Sequence, residues 1–254
     1  MSKQKLVPGN GGRVIAVTGK GGSGKTVLVA IMAGILSKDG GRKILLIDAD
    51  SAACLPSALG VAVESTVGDI REEIITDPEA KKRIEDIPMR EVIGDVMGQG
   101  RGFDLLVMGR PEGPGCFCAV NDLLRYGIET LSKDFDITLI DCEAGPEQVN
   151  RRVVRSVDTL VIVTDTSVRG IHNAELIKKI AEEYEGSKPT KIGLVVNRMR
   201  EEGKAILGLV EKTGLEILGC IPEDESITRS DSAGRPIIDL PHDSPGVMAV
   251  REIL

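Results

Sequence analysis

Eight consecutive residues constrain this chain more than any others. Gly19-Lys20-Gly21-Gly22-Ser23-Gly24-Lys25-Thr26 completes the G-x-x-x-x-G-K-[ST] spacing of a phosphate-binding loop. Such a loop belongs between a strand and a helix, where successive N–H groups and the positive helix end converge on one anion. Both flanks have that pattern: Arg13 to Thr18 is a short β-branched run, and Thr26 to Leu36 is almost continuously apolar, as in a helix packed on both sides. The glycines let the backbone curl tightly around phosphates. Lys25 is placed to reach the β and γ phosphates and the Thr26 hydroxyl to bind Mg²⁺, which makes a nucleoside triphosphate the first ligand to expect. The competing reading is a glycine-rich turn without a ligand, which full spacing plus context disfavours.

Composition narrows the fold. The 254 residues are 41% apolar, enough for a full core, yet include no Trp, two Tyr and three Phe. A core of Val, Ile, Leu and Ala suits a parallel sheet covered by helices. A net charge of −7 argues against a nucleic-acid partner bound through its phosphates. The longest apolar run, Val27 to Leu36, falls far short of the roughly 20 residues a membrane span needs, so no membrane partner is expected. Residues 1–12 lack the apolar stretch of a signal peptide and are expected to be a flexible segment before one domain over 13–254, in a cytoplasmic protein.

Strands are expected at Val14–Thr18, Lys43–Ile47, Leu105–Met108, Ile137–Ile140, Thr159–Val163, Ile192–Val196 and Glu216–Leu218. Helices are expected between them, most clearly at Thr26–Ser37, Ala119–Leu131, Val168–Glu183 and Gly203–Thr213. That alternation predicts an α/β fold: a single-domain phosphate-loop NTPase with a mainly parallel sheet flanked by helices and ligands at the carboxyl strand ends. The charged stretch Glu64 to Gly102 reads as a helical insertion ending in the glycine-rich Gly94 to Gly102. Two strands end on acids: Ile44 to Ile47 runs into Asp48-Ala49-Asp50, and Leu139-Ile140 into Asp141-Cys142-Glu143-Ala144-Gly145, a D-x-x-x-G. Each acid alone can be a helix N-cap. Two of them behind a phosphate loop point to positioning of water and Mg²⁺.

Lys20 sets the loop apart. Its pattern, G-K-G-G-x-G-K-T, resembles the deviant Walker A family, which includes the nitrogenase iron protein, MinD and ParA ATPases and nickel-insertion ATPases. The resemblance implies an ATP-dependent homodimer in which Lys20 contacts phosphates bound by the other subunit, with slow hydrolysis of ATP to ADP. It implies that Asp50 orients the attacking water, that Asp141 holds the Mg²⁺ shell with Asp48 sharing in it, and that the Gly145 N–H meets the γ-phosphate. It places Asn197, followed by Arg198, against the adenine edge, and Pro222-Glu223 beside the base. Lys20, Lys25, Asp50 and Asp141 are thus the catalytic candidates, and Gly19 to Thr26 the phosphate cradle.

Five cysteines, Cys54, Cys116, Cys118, Cys142 and Cys220, are too scattered for a disulfide framework in a chain of this size. Cys220 reads as a buried small hydrophobe, and Cys54 as a buried residue of the first acid loop in preference to an extra contact to a metal or the Mg²⁺ shell. Gly113-Pro114-Gly115-Cys116-Phe117-Cys118-Ala119 is different: a C-x-C at a loop-to-helix boundary, where the helix N-terminus favours thiolates. Two thiols fill half of a four-coordinate site, and a symmetric partner supplies the other half. With the loop, this C-x-C resembles CooC-type nickel-insertion ATPases that mature carbon monoxide dehydrogenase and their relatives associated with acetyl-CoA synthase. The resemblance covers nearly the whole chain and implies Ni²⁺ or Zn²⁺ on Cys116 and Cys118 across the dimer, and an apo-enzyme client. Ser51, in place of a proline, and Val27, in place of a second threonine, depart from the family pattern. An alternative is an iron–sulfur ATPase acting as a reductase or cluster carrier; Cys116 fits its first ligand, but Pro146 to Asn150 supplies no second, which leaves a cluster held by two C-x-C pairs. A positional switch of the MinD or ParA kind ranks third, because residues 246–254 are short and hold one basic residue.

Overall fold

The computed structural model describes residues 6, 12–110, 118–145, 157–183, 188–200 and 206–254, with the backbone alone at 81, 85 and 118–121. In chain order the elements are β1 (Arg13–Gly19), α1 (Lys25–Asp39), β2 (Ile44–Ala49), α2 (Leu55–Leu59), α3 (Val67–Thr76), α4 (Pro78–Glu85) and α5 (Met89–Asp95). Then come β3 (Gly98–Gly100), β4 (Phe103–Val107), α6 (Cys118–Leu131), β5 (Ile137–Cys142), β6 (Thr159–Thr164) and α7 (Val168–Glu183). The chain closes with β7 (Lys191–Met199), α8 (Leu207–Thr213), β8 (Glu216–Pro222), α9 (Glu225–Ser232) and α10 (Pro245–Ile253).

The strands form one sheet in the order β3-β4-β2-β5-β1-β6-β7-β8. Every neighbouring pair is parallel except β3 with β4. The chain steps from β1 to β2 and β4, returns through β5, and then continues on the far side of β1 through β6, β7 and β8. Strand order therefore reverses around β1, and the crevice at its carboxyl end is where ligands bind in such sheets.

Alternation along the buried strands sends side chains to two cores. Ile15, Val17, Leu46, Leu139 and Val163 pack with α1, α2 and α10 on one face; Val14, Ala16, Ile47, Ile140 and Ile162 pack with α3, α5, α6, α7 and α8 on the other. Helix α1 is apolar nearly all round, with Leu28 through Leu36 buried without a break, so it sits sandwiched beneath other elements rather than on the surface. Within the segment 1–12, Leu6 is buried and its N–H donates to the Ile253 carbonyl at 3.2 Å.

The expected α/β architecture is observed, with longer strands at the site. β2 runs through Asp48 to Ala49 and β5 through Asp141 to Cys142, so both acids are strand residues instead of following the strand. β7 extends past Asn197 to Met199 and β8 to Pro222. The region 64–102 holds α3, α4 and α5 and then an unanticipated strand, β3, whose glycines give no strand signal. Gly100 is required there, because a Cβ would lie 2.2 Å from the Phe103 ring. Of the helix expected at Gly203–Thr213, the described part is Leu207–Thr213, and residues 201–205 lie outside the described residues.

Candidate nucleotide site

The phosphate loop joins β1 to α1 at the switch point. Its shape depends on two glycines. At Gly19, φ is +148° and a Cβ would lie 2.1 Å from the Val163 carbonyl of β6; at Gly24, φ is +94° and a Cβ would lie 2.2 Å from Asn197 Nδ2 of β7. The loop is thus pressed against β6 and β7 with no room for side chains. Gly24 is also the N-cap of α1, which has no side-chain cap and no acid in its first turn, so the first N–H groups of a buried 15-residue helix remain available to an anion. Lys25 is only 8% exposed, and its Nζ lies 3.5 Å from the Lys20 carbonyl, which curls the ammonium back over the loop.

Asp48 and Asp141 stand in register on adjacent parallel strands. They have the parity of Leu46 and Leu139, which places both on the α1 face behind Lys25 and Thr26. Burial pushes the Asp48 carboxyl up to about 6, against hydrogen bonds from the backbone N–H groups of Leu55, at 2.9 Å, and Asp50, at 3.1 Å. Burial pushes Asp141 up to about 7, opposed by the Thr26 hydroxyl and the Lys25 charge and reinforced by Asp48 and Asp50. One Asp141 oxygen, Oδ1, is buried with no hydrogen-bond partner among the described residues. Two costly buried carboxylates, an orphaned oxygen and a neighbouring hydroxyl fit a hard divalent cation. As an open half-shell rather than a closed cage they suit Mg²⁺, which keeps waters and phosphate oxygens.

Around this centre lie the remaining candidates. Asp50 is half-buried, and its Oδ1 accepts from the Ala52 N–H at 2.9 Å. The Gly145 N–H donates to the Gly19 carbonyl at 3.0 Å, joining the D-x-x-x-G directly to the loop. Lys20 pairs with Asp165 at 3.6 Å, just beyond the end of β6. Asp165 is in turn held by the Ser167 N–H and hydroxyl. The criterion that singles out Asp48 and Asp141, an acid at a strand end, also fits Asp165, which the sequence reading passed over.

A cavity of about 310 Å³ opens beside Gly24 and Val27, bounded by Asn197, Arg198, Pro222 and Glu223. Four separately chosen candidates are therefore brought to one wall. Asn197 has a further duty: its Nδ2 donates to the Ser23 carbonyl at 2.8 Å, and its Oδ1 accepts from the Arg198 N–H at 2.9 Å, bolting β7 to the loop. The ladder to β8 slips there, and Arg198 takes a left-handed φ of +54°, the kind of backbone outlier that gathers at ligand sites. Arg200 grips Glu223 through two bonds of 2.5 and 2.6 Å, holding its carboxyl below the usual range; residues 23 apart leave no local sequence signal for such a pair.

The cysteines divide. Cys116 lies outside the described residues, and Cys118 opens α6 with only its backbone described. Cys54 is exposed, contrary to the buried role expected of it, because it caps α2 where the chain leaves the acid loop. Cys142 faces the opposite core, fully buried, and its thiol is pushed far up by that burial. Cys220 is partly exposed rather than buried. Among the described residues no helix is long and apolar enough to cross a membrane.

Residues 14–237 match the family described as the CobQ/CobB/MinD/ParA nucleotide binding domain. The chain is 40% identical over 251 residues to an uncharacterized ATP-binding protein of Methanocaldococcus jannaschii, covering 94% of this chain and 96% of that one. It is 34% identical over 248 residues to the carbon monoxide dehydrogenase accessory protein CooC of Rhodospirillum rubrum, covering 89% of each. Its fold is similar to the septum site-determining protein MinD of Pyrococcus horikoshii, solved with Mg-ADP, at a TM-score of 0.70 and 23% identity over 95% of this chain and 93% of that one. The strand-loop-helix cradle, the eight-stranded sheet and these matches together make the chain a nucleotide-binding ATPase domain of the CobQ/CobB/MinD/ParA family.

Proposed function

We propose that the protein is an ATP-driven metallochaperone that dimerises around bound nucleotide and delivers a soft divalent metal, nickel by preference, to an apo-enzyme of the carbon monoxide dehydrogenase/acetyl-CoA synthase type. The observation that carries the ATPase half is the register-paired, buried Asp48 and Asp141 behind Thr26 and Lys25. The metal half is supported by the Cys116-x-Cys118 sequence and by the 34% identity to CooC.

The phosphates would lie on the N–H groups of the loop and of the first turn of α1, with Lys25 against the β and γ oxygens. Thr26 and Asp141 would hold Mg²⁺, with Asp48 sharing in its shell. Bound there, Mg²⁺ neutralises charge that builds on the phosphate oxygens. Asp50 would orient a water for in-line attack on the γ-phosphorus; the bridging oxygen departs with ADP, and the water's proton leaves on phosphate. Lys20 would leave Asp165 to meet the phosphates held by the partner, and the Gly145 N–H would exchange the Gly19 carbonyl for the γ-phosphate. Asn197, Arg198, Pro222 and Glu223 would line the nucleoside side. Closing the dimer would bring the two Cys116/Cys118 pairs together as a four-thiolate seat for the cargo, where Ni²⁺ favours square-planar and Zn²⁺ tetrahedral geometry. Hydrolysis would reopen it.

The test is the mass of the native protein in solution with no nucleotide, with Mg-ADP and with Mg-ATP. The proposal expects a dimer that forms with Mg-ATP and dissociates as ATP is consumed; a mass indifferent to nucleotide contradicts it. A reading as an iron–sulfur electron-transfer ATPase or cluster carrier has less support, since residues 146–150 hold no cysteine at the second ligand position of the iron-protein pattern and a cluster would have to sit on the two Cys116/Cys118 pairs instead.

A further inference from the structure

Among the described residues three carboxylates border the cavity beside the phosphate loop, and two of them are already committed. Glu223 has both oxygens on the Arg200 guanidinium. Asp224 is buried and accepts four donors: the N–H groups of Ser226 and Gly246, each at 2.8 Å, and the hydroxyls of Ser226 and Ser244. It thereby pins the N-termini of α9 and α10 to one side chain and has no lone pair to spare for a ligand. Asp231, in the last turn of α9, is exposed at the cavity rim, and among the described residues its carboxylate makes no hydrogen bond or ion pair.

The wall that Asp224 anchors is one face of α9. Ile227 and Thr228 lie four and three residues before Asp231 and border the same cavity. Val27, Pro222 and Ile227 supply apolar surface for a flat ring, which leaves Asp231 as the one uncommitted anionic acceptor among the described residues of the cavity, at its solvent edge. In a nucleotide, the group that combines a solvent-facing position with two adjacent hydroxyl donors is the sugar. A carboxylate takes such a diol through two charge-assisted bonds, whereas an adenine amino group offers it one.

We infer that Asp231 reads the ribose, accepting from the 2′ and 3′ hydroxyls of a nucleotide whose phosphates lie on the loop, so that the site selects ribonucleotides over 2′-deoxyribonucleotides. The inference rests on the nucleotide reading given above and adds a specificity to it. Asp224 is the positioning residue that sets the depth of the wall.

The test is equilibrium binding of ATP, 2′-deoxy-ATP and GTP to the full chain and to its Asp231→Ala and Asp231→Asn variants, with the melting temperature of each recorded. A site of this kind holds ATP about tenfold more tightly than 2′-deoxy-ATP. In Asp231→Ala that preference falls to within about twofold, through weaker ATP binding alone, while the ATP-to-GTP ratio and the melting temperature stay as in the native chain. Equal binding of ATP and 2′-deoxy-ATP by the native chain overturns the assignment. So does a variant that alters the ATP-to-GTP ratio and leaves the deoxy preference in place, since that places Asp231 on the base. Failure of the native chain to bind ATP at all defeats the nucleotide reading itself, and this inference with it.

Discussion

Asp48 and Asp141 face one another across β2 and β5, both shut off from solvent, with carboxyls that ionise only at about 6 and about 7. A carboxyl whose folded pKa is raised favours the folded state while protonated. Its contribution is fully present below the unfolded value of about 4 and is lost as pH rises through 6 to 7. Metal-free protein should therefore lose stability across that window, and Mg²⁺ should restore it by binding the ionised pair. Calorimetry in EDTA and in Mg²⁺ checks this: the Mg²⁺ gain in melting temperature is larger at pH 8 than at pH 5.5, and Asp141→Asn removes most of the difference. An equal gain at both pH values places the cation elsewhere.

The second prediction concerns the seam between the loop and β7. Gly24→Ala places a methyl 2.2 Å from Asn197 Nδ2 at a φ of +94°. The bond from Asn197 to the Ser23 carbonyl must then break, at a cost on the order of 2 kcal/mol in stability. ATP affinity should fall at least about a hundredfold, because the first turn of α1 no longer aims at the phosphates. Asn197→Ala, which frees the same space but loses the bonds to the Ser23 carbonyl and from the Arg198 N–H, should cost about 2 kcal/mol and only about tenfold in affinity. Isothermal titration separates the two, and a Gly24→Ala protein that binds ATP normally breaks the argument.

Lys20 and Asp165 give the third. Their pair is about 42% and 32% exposed, so it contributes no more than about 1 kcal/mol to folding. Both Lys20→Ala and Asp165→Asn should thus melt close to the native temperature. Their effects on assembly should differ in sign: Lys20→Ala removes the cation proposed for the partner's phosphates and should lower the dimer fraction in Mg-ATP, while Asp165→Asn releases that cation and should raise it. Light scattering at fixed protein concentration reads both, and equal dimer fractions in all three proteins contradict the trans role of Lys20.

Much of this site was legible because its chemistry is carried by short local patterns. The loop and the two strand-end acids are each marked by residue type at a strand terminus, Asn197 and Pro222 only by the family resemblance, and the sheet brings those termini together. What escaped notice depends on distance in sequence. Arg200 meets Glu223 across two strands, and Asp224 joins α9 to α10 through Ser244, 20 residues away. Strand β3 was hidden for another reason: its two glycines carry no strand preference, and Gly100 stands where the Phe103 ring leaves no room for a Cβ. Cys54 was misjudged because a small apolar side chain next to a buried acid loop need not follow it inward.

The most direct test of the central claim is the metal content and ultraviolet–visible spectrum of the full chain, purified without oxygen and offered Ni²⁺, with and without Mg-ATP. The account predicts about one Ni²⁺ per dimer with thiolate charge-transfer bands, lost in the Cys116→Ser/Cys118→Ser double variant while ATP hydrolysis continues. A broad brown absorption with iron and sulfide present, or nickel retained by the double variant, contradicts it.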